Sequence, residues 1–187
     1  MTFKFVDLFA GIGGFHAALG AMGGECVYAS EIDKDAARIY QRNWGLKPDG
    51  DITLAANEEV MEVPPHDVLV GGFPCQPFSN AGSRKGTADP RGKLYVRVME
   101  IVKRYKPNVV MLENVRGITT SKHAGKPVIQ IIMTHLKKLG YLTSFKLLDA
   151  SDHRVGQRRL RLIIVGTRMK SHFIFPEGKP RDQLEIK

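Results

Sequence analysis

The chain has 187 residues, of which 43% are hydrophobic, and a formal net charge of +9. This fits one domain with a substantial core, and no apolar run is long enough to span a bilayer or to act as a secretory leader, so we expect a cytoplasmic protein without a membrane partner. The six histidines show no metal-ligand spacing and the two cysteines lie in unlike contexts, so we expect neither a structural metal nor a disulfide framework.

Apolar, strand-like runs alternate with amphipathic helical stretches along the chain. This pattern predicts an α/β fold with a doubly wound, mostly parallel sheet that carries helices on both faces. The predicted strands are 4–8, 25–30, 67–70, 108–112, 143–148 and 160–166. The predicted helices are 14–22, 34–43, 93–105 and 126–139.

The first predicted strand runs into a glycine-rich turn, DLFAGIGG at 7–14. Glycines at such a turn let a ligand approach the backbone closely. The second strand ends near Glu31, twenty residues after Gly11, where a carboxylate can accept hydrogen bonds from ribose hydroxyls. Turn and acid together predict a nucleoside-containing cofactor. Carboxylates at Asp7 and Glu31 suit the sulfonium of S-adenosylmethionine better than a pyrophosphate, although the sequence leaves a dinucleotide open.

The third predicted strand leads into a loop that carries Cys75, within GGFPCQPFS at 71–79. The glycine pair and the two prolines prevent strand or helix from continuing, and ligands bind outside the carboxyl ends of parallel strands. Cys75 is therefore a candidate nucleophile. The alternative is an inert buried thiol, which is the interpretation that suits Cys26 in its apolar strand.

Basic residues gather in two segments with glycine or proline, 83–93 and 153–161. Together with the net charge they favour a polyanionic partner, most often nucleic acid, over a merely basic protein. The segment 78–92 has no clear helix or strand pattern, and we predict that it is a loop serving as a lid.

Four segments together resemble the DNA (cytosine-5)-methyltransferase family. They are DLFAGIGG at 7–14, GFPCQPFS at 72–79, ENV at 113–115 and QRRLR at 157–161. They resemble, in that order, the family's cofactor, nucleophile, acid and basic motifs. Their order and spacing cover nearly the whole chain, so the resemblance implies a Rossmann-like methyltransferase fold that uses S-adenosylmethionine.

The resemblance also implies covalent catalysis on cytosine. Cys75 would attack C6 as a thiolate, which makes C5 a nucleophile for the methyl group, and loss of the C5 proton and of the thiol would release 5-methylcytosine. Glu113, on the neighbouring strand, would bind the ring at N3. Arg159 and Arg161, expected on one side of a strand, would hold the base carbonyl, whereas Arg158 would be a solvated charge.

A binding site for S-adenosylmethionine follows from the same resemblance. In it Phe9 would stack near the adenine, Glu31 would bind the ribose, and Asp51 would flank the adenine. The full set of implied cofactor-binding residues is Phe9, Gly11, Gly13, Glu31, Ile32, Asp51, Ile52, Pro74 and Leu94.

Catalysis of this kind requires the cytosine to leave the DNA duplex, with the basic loop 80–93 closing over it. The candidates for contact with the DNA backbone are Arg84, Lys85, Arg91 and Lys93.

The chain departs from the family pattern after its last predicted strand. A target-recognition domain, the motif that supports it and a Gly-Asn-Ser-Val segment that closes the cofactor pocket are not found, so its target sequence is not predictable. We therefore predict one catalytic and cofactor-binding domain over 1–187 that acts as one subunit of a split restriction-modification methyltransferase. Its partners would be double-stranded DNA and a second subunit. The alternatives are a truncated chain, an inactive DNA-binding remnant, an RNA methyltransferase of the same fold and a nicotinamide-dependent oxidoreductase with a cysteine nucleophile.

Overall fold

A six-stranded sheet forms the centre of the molecule, in the order β2-β1-β3-β4-β8-β7. The computed structural model describes residues 2–57, 59–74 and 90–179, with 90–93 described by their backbone alone. The strands of the sheet are β1 (Phe3–Leu8), β2 (Gly24–Ser30), β3 (Val68–Gly71), β4 (Val109–Val115), β7 (Leu142–Asp149) and β8 (Leu160–Thr167). A separate two-stranded ribbon pairs β5 (Lys122–His123) with β6 (Lys126–Pro127).

Five α-helices accompany the strands in the described part of the chain. They are α1 (Gly14–Ala21), α2 (Lys34–Trp44), α3 (Ile52–Ala55), α4 (Pro90–Tyr105) and α5 (Val128–Lys138). Two short 3₁₀ turns, Arg116–Thr119 and Ala150–His153, follow β4 and β7. None of the helices in the described ranges is long and apolar enough to cross a membrane.

The predicted α/β fold with a mostly parallel sheet is confirmed. Strands β1 to β4 pair in parallel, whereas β8 runs antiparallel to both β4 and β7. All six predicted strands and four predicted helices are present within three residues of their predicted ends.

The largest differences between the predicted and observed elements lie at α4 and β4. Helix α4 begins at Pro90 rather than at 93, as the fixed φ of proline suits the first turn of a helix. Residues 90–92, predicted as the end of the loop 78–92, are therefore helical. The rest of that predicted loop, 78–89, lies outside the described residues. Strand β4 continues to Val115 because β8 pairs with it there, Val115 opposite Arg161. Helix α3 was not predicted; Asp51 caps it by accepting from the Thr53 amide at 2.9 Å.

The strand order places a switch point between β1 and β3. Strand β2 follows β1 on one side of it, and β3 lies on the other side. Ligands of open α/β sheets bind outside the carboxyl ends of the strands at such a point. The segments that leave β1 and β3, which begin at Phe9 and Gly72, meet there.

A buried core below this edge holds the strands and helices in place. Its sheet side includes Leu69, Val110 and Ile164, and its helical side includes Ile101 of α4 and Ile132 of α5, all with 0–1% of their surface exposed. The apolar face of α4 therefore packs on the sheet, which fixes the position of the residues that follow β3 and β4.

Candidate active site

A cavity of about 230 Å³ lies at the carboxyl ends of β1, β2 and β3. Its lining consists of Phe9, Ser30, Glu31, Ile32, Gly50, Asp51, Ile52, Pro74 and Leu94. Seven of the nine residues that the sequence suggested for cofactor binding are in this set, and Gly11 and Gly13 are not. The cavity thus brings together segments that are up to 85 residues apart in the chain, from Phe9 to Leu94.

Ser30 and Gly50 line the cavity and were missed by sequence reasoning. The segment before α3 lies alongside the end of β2, because the Glu31 amide donates to the Asp49 carbonyl at 2.7 Å and the Asp49 amide donates to the Ala29 carbonyl at 2.8 Å. These are backbone contacts, and they leave no side-chain pattern from which the juxtaposition could have been predicted.

Glu31 ties the glycine turn to the end of β2. One of its oxygens accepts from the Gly11 amide at 2.7 Å and the other accepts from the Asp33 amide at 2.8 Å. A carboxylate oxygen has two lone pairs, so each oxygen keeps capacity for another donor. Glu31 can therefore hold the turn and still accept a hydroxyl from a ligand in the cavity.

The two glycines that were predicted to bind cofactor have different neighbours. Both have positive φ, +56° at Gly11 and +95° at Gly13. A Cβ at Gly11 would meet nothing within 4 Å, whereas a Cβ at Gly13 would lie 2.0 Å from Nε1 of Trp44. The space where a side chain of Gly11 would lie is open, whereas the corresponding space at Gly13 is filled by Trp44.

Phe9 enters the turn with a backbone conformation that non-glycine residues rarely adopt, at φ +56°. Such conformations cost about 1–3 kcal/mol and persist where the surroundings enforce them. Here the result is that a half-buried aromatic ring lines the cavity together with Ile52 and Pro74. Ile32 stands at the rim, 72% exposed.

Asp7 was expected to flank the glycine turn with a charge that suits a sulfonium, but its side chain is not among the residues that line the cavity. Its side chain is fully buried below the turn, and neither carboxyl oxygen has a hydrogen-bond partner. Burial raises the pKa of Asp7 to about 8, the nearby His16 amide opposes this rise, and the Glu31 charge adds to it. The carboxyl group of Asp7 is therefore mostly neutral at pH 7 and offers no charge to a cationic ligand.

Glu113 and Arg161 form an ion pair beside the cavity, on strands β4 and β8. Arg161 Nε lies 2.5 Å from Glu113 Oε1, and each side chain is 26% exposed. A Cβ on Gly72 would lie 3.0 Å from Glu113 Oε2, so this carboxylate is next to the chain three residues before Cys75. Cys75 itself, like Arg84 and Lys85, lies outside the described residues, as do the side chains of Arg91 and Lys93.

Asn114 is a site residue to which sequence reasoning gave no role. It is 3% exposed, and its Nδ2 donates to the carbonyl of Phe73 at 2.8 Å. The bond fastens the segment that leads from β3 to Pro74 and Cys75 onto β4. A polar amide just beyond the apolar run of β4, at a position that alternates with the buried Val110 and Leu112, was the signal that could have indicated it.

The two arginines predicted to converge lie in different surroundings. Arg161 is in β8 and pairs with Glu113, but Arg159 precedes the strand and is exposed, with its amide donating to Asp149 Oδ1 at 2.9 Å. Arg158 is exposed as predicted, yet its Nε lies 3.4 Å from Asp149 Oδ2. The Arg159 amide, the Ser151 donors and the Arg158 charge together hold the pKa of Asp149 below its ordinary value.

No group of three or more His, Cys, Asp or Glu side chains within the described ranges is arranged to hold a metal ion. The polar groups that line the cavity are two carboxylates and one hydroxyl, and no Lys or Arg is among its described lining residues. The cavity is therefore suited to an aromatic, hydroxyl-bearing ligand without phosphate groups.

The sequence and the fold both match known methylases. A family model described as C-5 cytosine-specific DNA methylase matches residues 3–186. The Type II methyltransferase M.DsaV of Dactylococcopsis salina is 42% identical over 179 residues, which are 95% of this chain and 50% of that protein. The Type II methylase M.HgiEI of Herpetosiphon aurantiacus is 43% identical over 185 residues, which are 97% of this chain and 41% of that protein.

Among solved structures, the S. pombe Dnmt2 methyltransferase has a similar fold, with a TM-score of 0.77 and 24% identity over 91% of this chain and 53% of that one. The chain spans about half the length of the curated relatives it matches.

Proposed function

The chain belongs to the C-5 cytosine-specific DNA methylase family, and we propose that it carries the cofactor-binding and catalytic part of an enzyme that transfers a methyl group from S-adenosylmethionine to C5 of cytosine in DNA. One observation carries the proposal: the cavity and the Glu113–Arg161 pair both border the segment Gly72–Pro74, which leads directly to Cys75. A methyl donor in the cavity and a cytosine held by Glu113 would then both lie near the Cys75 thiol.

The cavity fits the nucleoside part of S-adenosylmethionine. Phe9, Ile52 and Pro74 give apolar walls for an adenine ring, with Ile32 at the rim and Leu94 completing the wall. Glu31 would accept the ribose hydroxyls, and Asp51 would accept the adenine amino group with the oxygen that does not cap α3. With two carboxylates and no described basic side chain in the lining, a pyrophosphate would be repelled, which favours S-adenosylmethionine over a dinucleotide.

Cys75 would add through its sulfur to C6 of the cytosine, and the electron pair of the C5–C6 double bond would move to C5. C5 would then take the methyl group from the sulfonium, and the electron pair of the broken S–CH3 bond would stay on the sulfur, so that the donor leaves as the neutral thioether S-adenosylhomocysteine. Removal of the C5 proton by a base and departure of the sulfur from C6 restore the double bond. S-adenosylmethionine supplies the electrophilic methyl group in this sequence.

Glu113 would act on the base and Arg161 would position Glu113. A carboxyl group at N3 of cytosine neutralises the negative charge that reaches the ring as the thiolate adds. The ion pair with Arg161 at 2.5 Å holds that carboxyl group at the end of β4. Arg159, exposed two residues before Arg161, would turn toward the base carbonyl or the DNA backbone.

We further propose that a second polypeptide supplies recognition of the DNA sequence, since the relatives have about twice the length of the matching region. The alternative is that the part that recognises the DNA sequence belongs to the same polypeptide. The flipped cytosine would reach the site under the basic segment 80–93.

Transfer of tritiated methyl groups from S-adenosylmethionine to DNA and to RNA, with and without a complementing fragment of a relative, tests the proposal. We expect incorporation into DNA that rises with the fragment and that Cys75→Ala abolishes, while Cys26→Ala leaves it unchanged. Undiminished incorporation by Cys75→Ala, or incorporation into RNA alone, would overturn the proposal.

A further inference from the structure

A row of aromatic side chains lies behind the glycine turn, on the side away from the cavity. It consists of His16, Tyr40 and Trp44, which we call the turn support. None of the three lines the cavity. The row reaches from the interior, where Tyr40 is 0% exposed, to the surface, where Trp44 is 36% exposed.

Trp44 contacts the turn at two successive residues. Its indole Nε1 donates to the carbonyl of Ile12 at 3.1 Å. The same nitrogen occupies the space where a side chain of Gly13 would be, since a Cβ there would lie 2.0 Å from it. Gly13 therefore lacks a side chain so that Trp44 can approach the turn, not so that a ligand can.

Helix α2 and His16 together hold Trp44 in this position. Trp44 is the last residue of α2, which Asp33 caps before its first residue and Gly45, at φ +74°, caps after its last. The His16 ring stacks on the indole with 4.6 Å between ring centres and 16° between planes. His16 Nδ1 is in turn 2.7 Å from the hydroxyl of the buried Tyr40. Each ring in the row thus fixes the next one.

The turn is consequently fastened on both of its sides. Glu31 accepts the Gly11 amide on the cavity side, and Trp44 donates to the Ile12 carbonyl on the opposite side. The two peptide groups, Ala10–Gly11 and Ile12–Gly13, are separated by one peptide group, so we expect a change at Trp44 to alter the backbone close to the amide that Glu31 holds. The same turn carries Phe9 into the cavity.

We propose that Trp44 is a positioning residue for cofactor binding, acting through the peptide groups of Ile12 and Gly13. This inference rests on the proposed function, because it names the turn as part of the S-adenosylmethionine site. The loss of a single neutral hydrogen bond to a partly exposed carbonyl corresponds to an affinity about fivefold weaker. Binding of the DNA base at Glu113 would not change.

The test compares Trp44→Phe with Tyr141→Phe. Each variant keeps a six-membered aromatic ring and removes one donor to a backbone carbonyl; Tyr141 donates to Pro107 at 2.8 Å, away from the cavity. S-adenosylhomocysteine binding is measured by isothermal titration calorimetry, and the melting temperature by differential scanning calorimetry. We expect weaker binding for Trp44→Phe alone, and in methyl transfer a raised KM for S-adenosylmethionine with kcat nearly unchanged.

A second variant, His16→Phe, keeps a ring against the indole and removes the bond to Tyr40, and we expect it to weaken binding by a smaller factor. If the wild-type chain fails to bind S-adenosylhomocysteine, the proposed function is wrong. If the wild-type chain binds and both Trp44→Phe and His16→Phe bind within about twofold of it, or if Tyr141→Phe weakens binding equally, Trp44 has only a structural role and the inference is overturned.

Discussion

The cofactor cavity and the Glu113–Arg161 pair are neighbours, but they are built in different ways. The polar groups around the cavity are held by bonds within the protein: Glu31 accepts two amides, and Asp51 caps a helix. Glu113 and Arg161 instead hold each other mainly by charge, with one further bond from Arg161 Nη1 to the Leu160 carbonyl at 2.9 Å, and both remain partly exposed. The polar groups of the first region are therefore fixed without a ligand, whereas in the second the proposed cytosine would contact the exposed part of Glu113 while Arg161 keeps the carboxyl group in place.

The difference also appears along the chain. Most of the cavity comes from 9–52, a continuous part of the sequence whose strands and helices follow one another. The ion pair joins residues that are 48 positions apart and depends on the antiparallel register of β8 on β4. A change in one region is therefore expected to leave the other intact, and variants at each test this separation.

The largest effect is expected for Glu113→Gln. The amide can no longer share or donate a carboxyl proton at N3 of the cytosine, and it loses the charge that pairs with Arg161. We expect methyl transfer to fall by about 10³-fold, within the range for a lost acid or base, while S-adenosylhomocysteine binds as in the wild type. Single-turnover methyl transfer and calorimetry measure the two quantities, and a large loss of cofactor affinity would contradict the separation of the two regions.

Glu31→Gln is expected to have the opposite profile. Gly11 and Asp33 donate to different oxygens of Glu31, and in the side-chain amide an NH2 group replaces one of these oxygens, so one of the two backbone amides loses its acceptor. We expect an affinity for S-adenosylhomocysteine about 10- to 100-fold weaker, with kcat largely retained at saturating cofactor. Asp35→Asn, which changes an exposed acid in the first turn of α2 that pairs with Arg38, is the matched control and should bind normally.

Asp7→Asn tests the cost of the buried acid under the cofactor region. The pKa of Asp7 in the folded chain is about 8, above its ordinary value of 3.8. Between these values the unfolded chain loses the proton and the folded chain keeps it, so the wild type loses stability as the pH rises. Above pH 8 the loss is complete, and below about pH 4 it is absent.

We therefore expect the free energy of unfolding of Asp7→Asn, relative to the wild type, to rise by on the order of 3 kcal/mol between pH 5 and pH 8. Urea denaturation of both proteins across this range measures the difference, in which most other titrating groups cancel. A difference that does not change with pH would show that Asp7 is ionised in the folded protein.

The sequence was sufficient to predict the sheet and most of the cavity, because strand periodicity indicates the strands locally, the spacing from the glycine turn indicates Glu31, and the family resemblance implies Phe9 and Pro74. It was insufficient where the structure depends on long-range packing. Nothing near Trp44 indicates that it contacts Gly13, because a tryptophan at the end of an amphipathic helix has many possible neighbours. The burial of Asp7 was missed for a related reason, since a strand residue has two faces and the sequence alone did not show which face α1 and α2 would cover.

The smallest effect is expected for Arg158→Ala, which separates a charge seen near the site from one that acts in it. Arg158 is 78% exposed where it meets Asp149, and ion pairs this exposed contribute about 0–1 kcal/mol. Asp149 keeps the Arg159 and Ser151 amides in the variant, so the turn before β8 should persist. We expect unchanged cofactor affinity and kcat, and at most a modest weakening of DNA binding that disappears at high salt. Arg161→Ala should instead lower kcat strongly, because the Glu113 carboxylate loses its ion-pair partner. Equal effects of Arg158→Ala and Arg161→Ala on kcat would mean that Arg161 does not position Glu113.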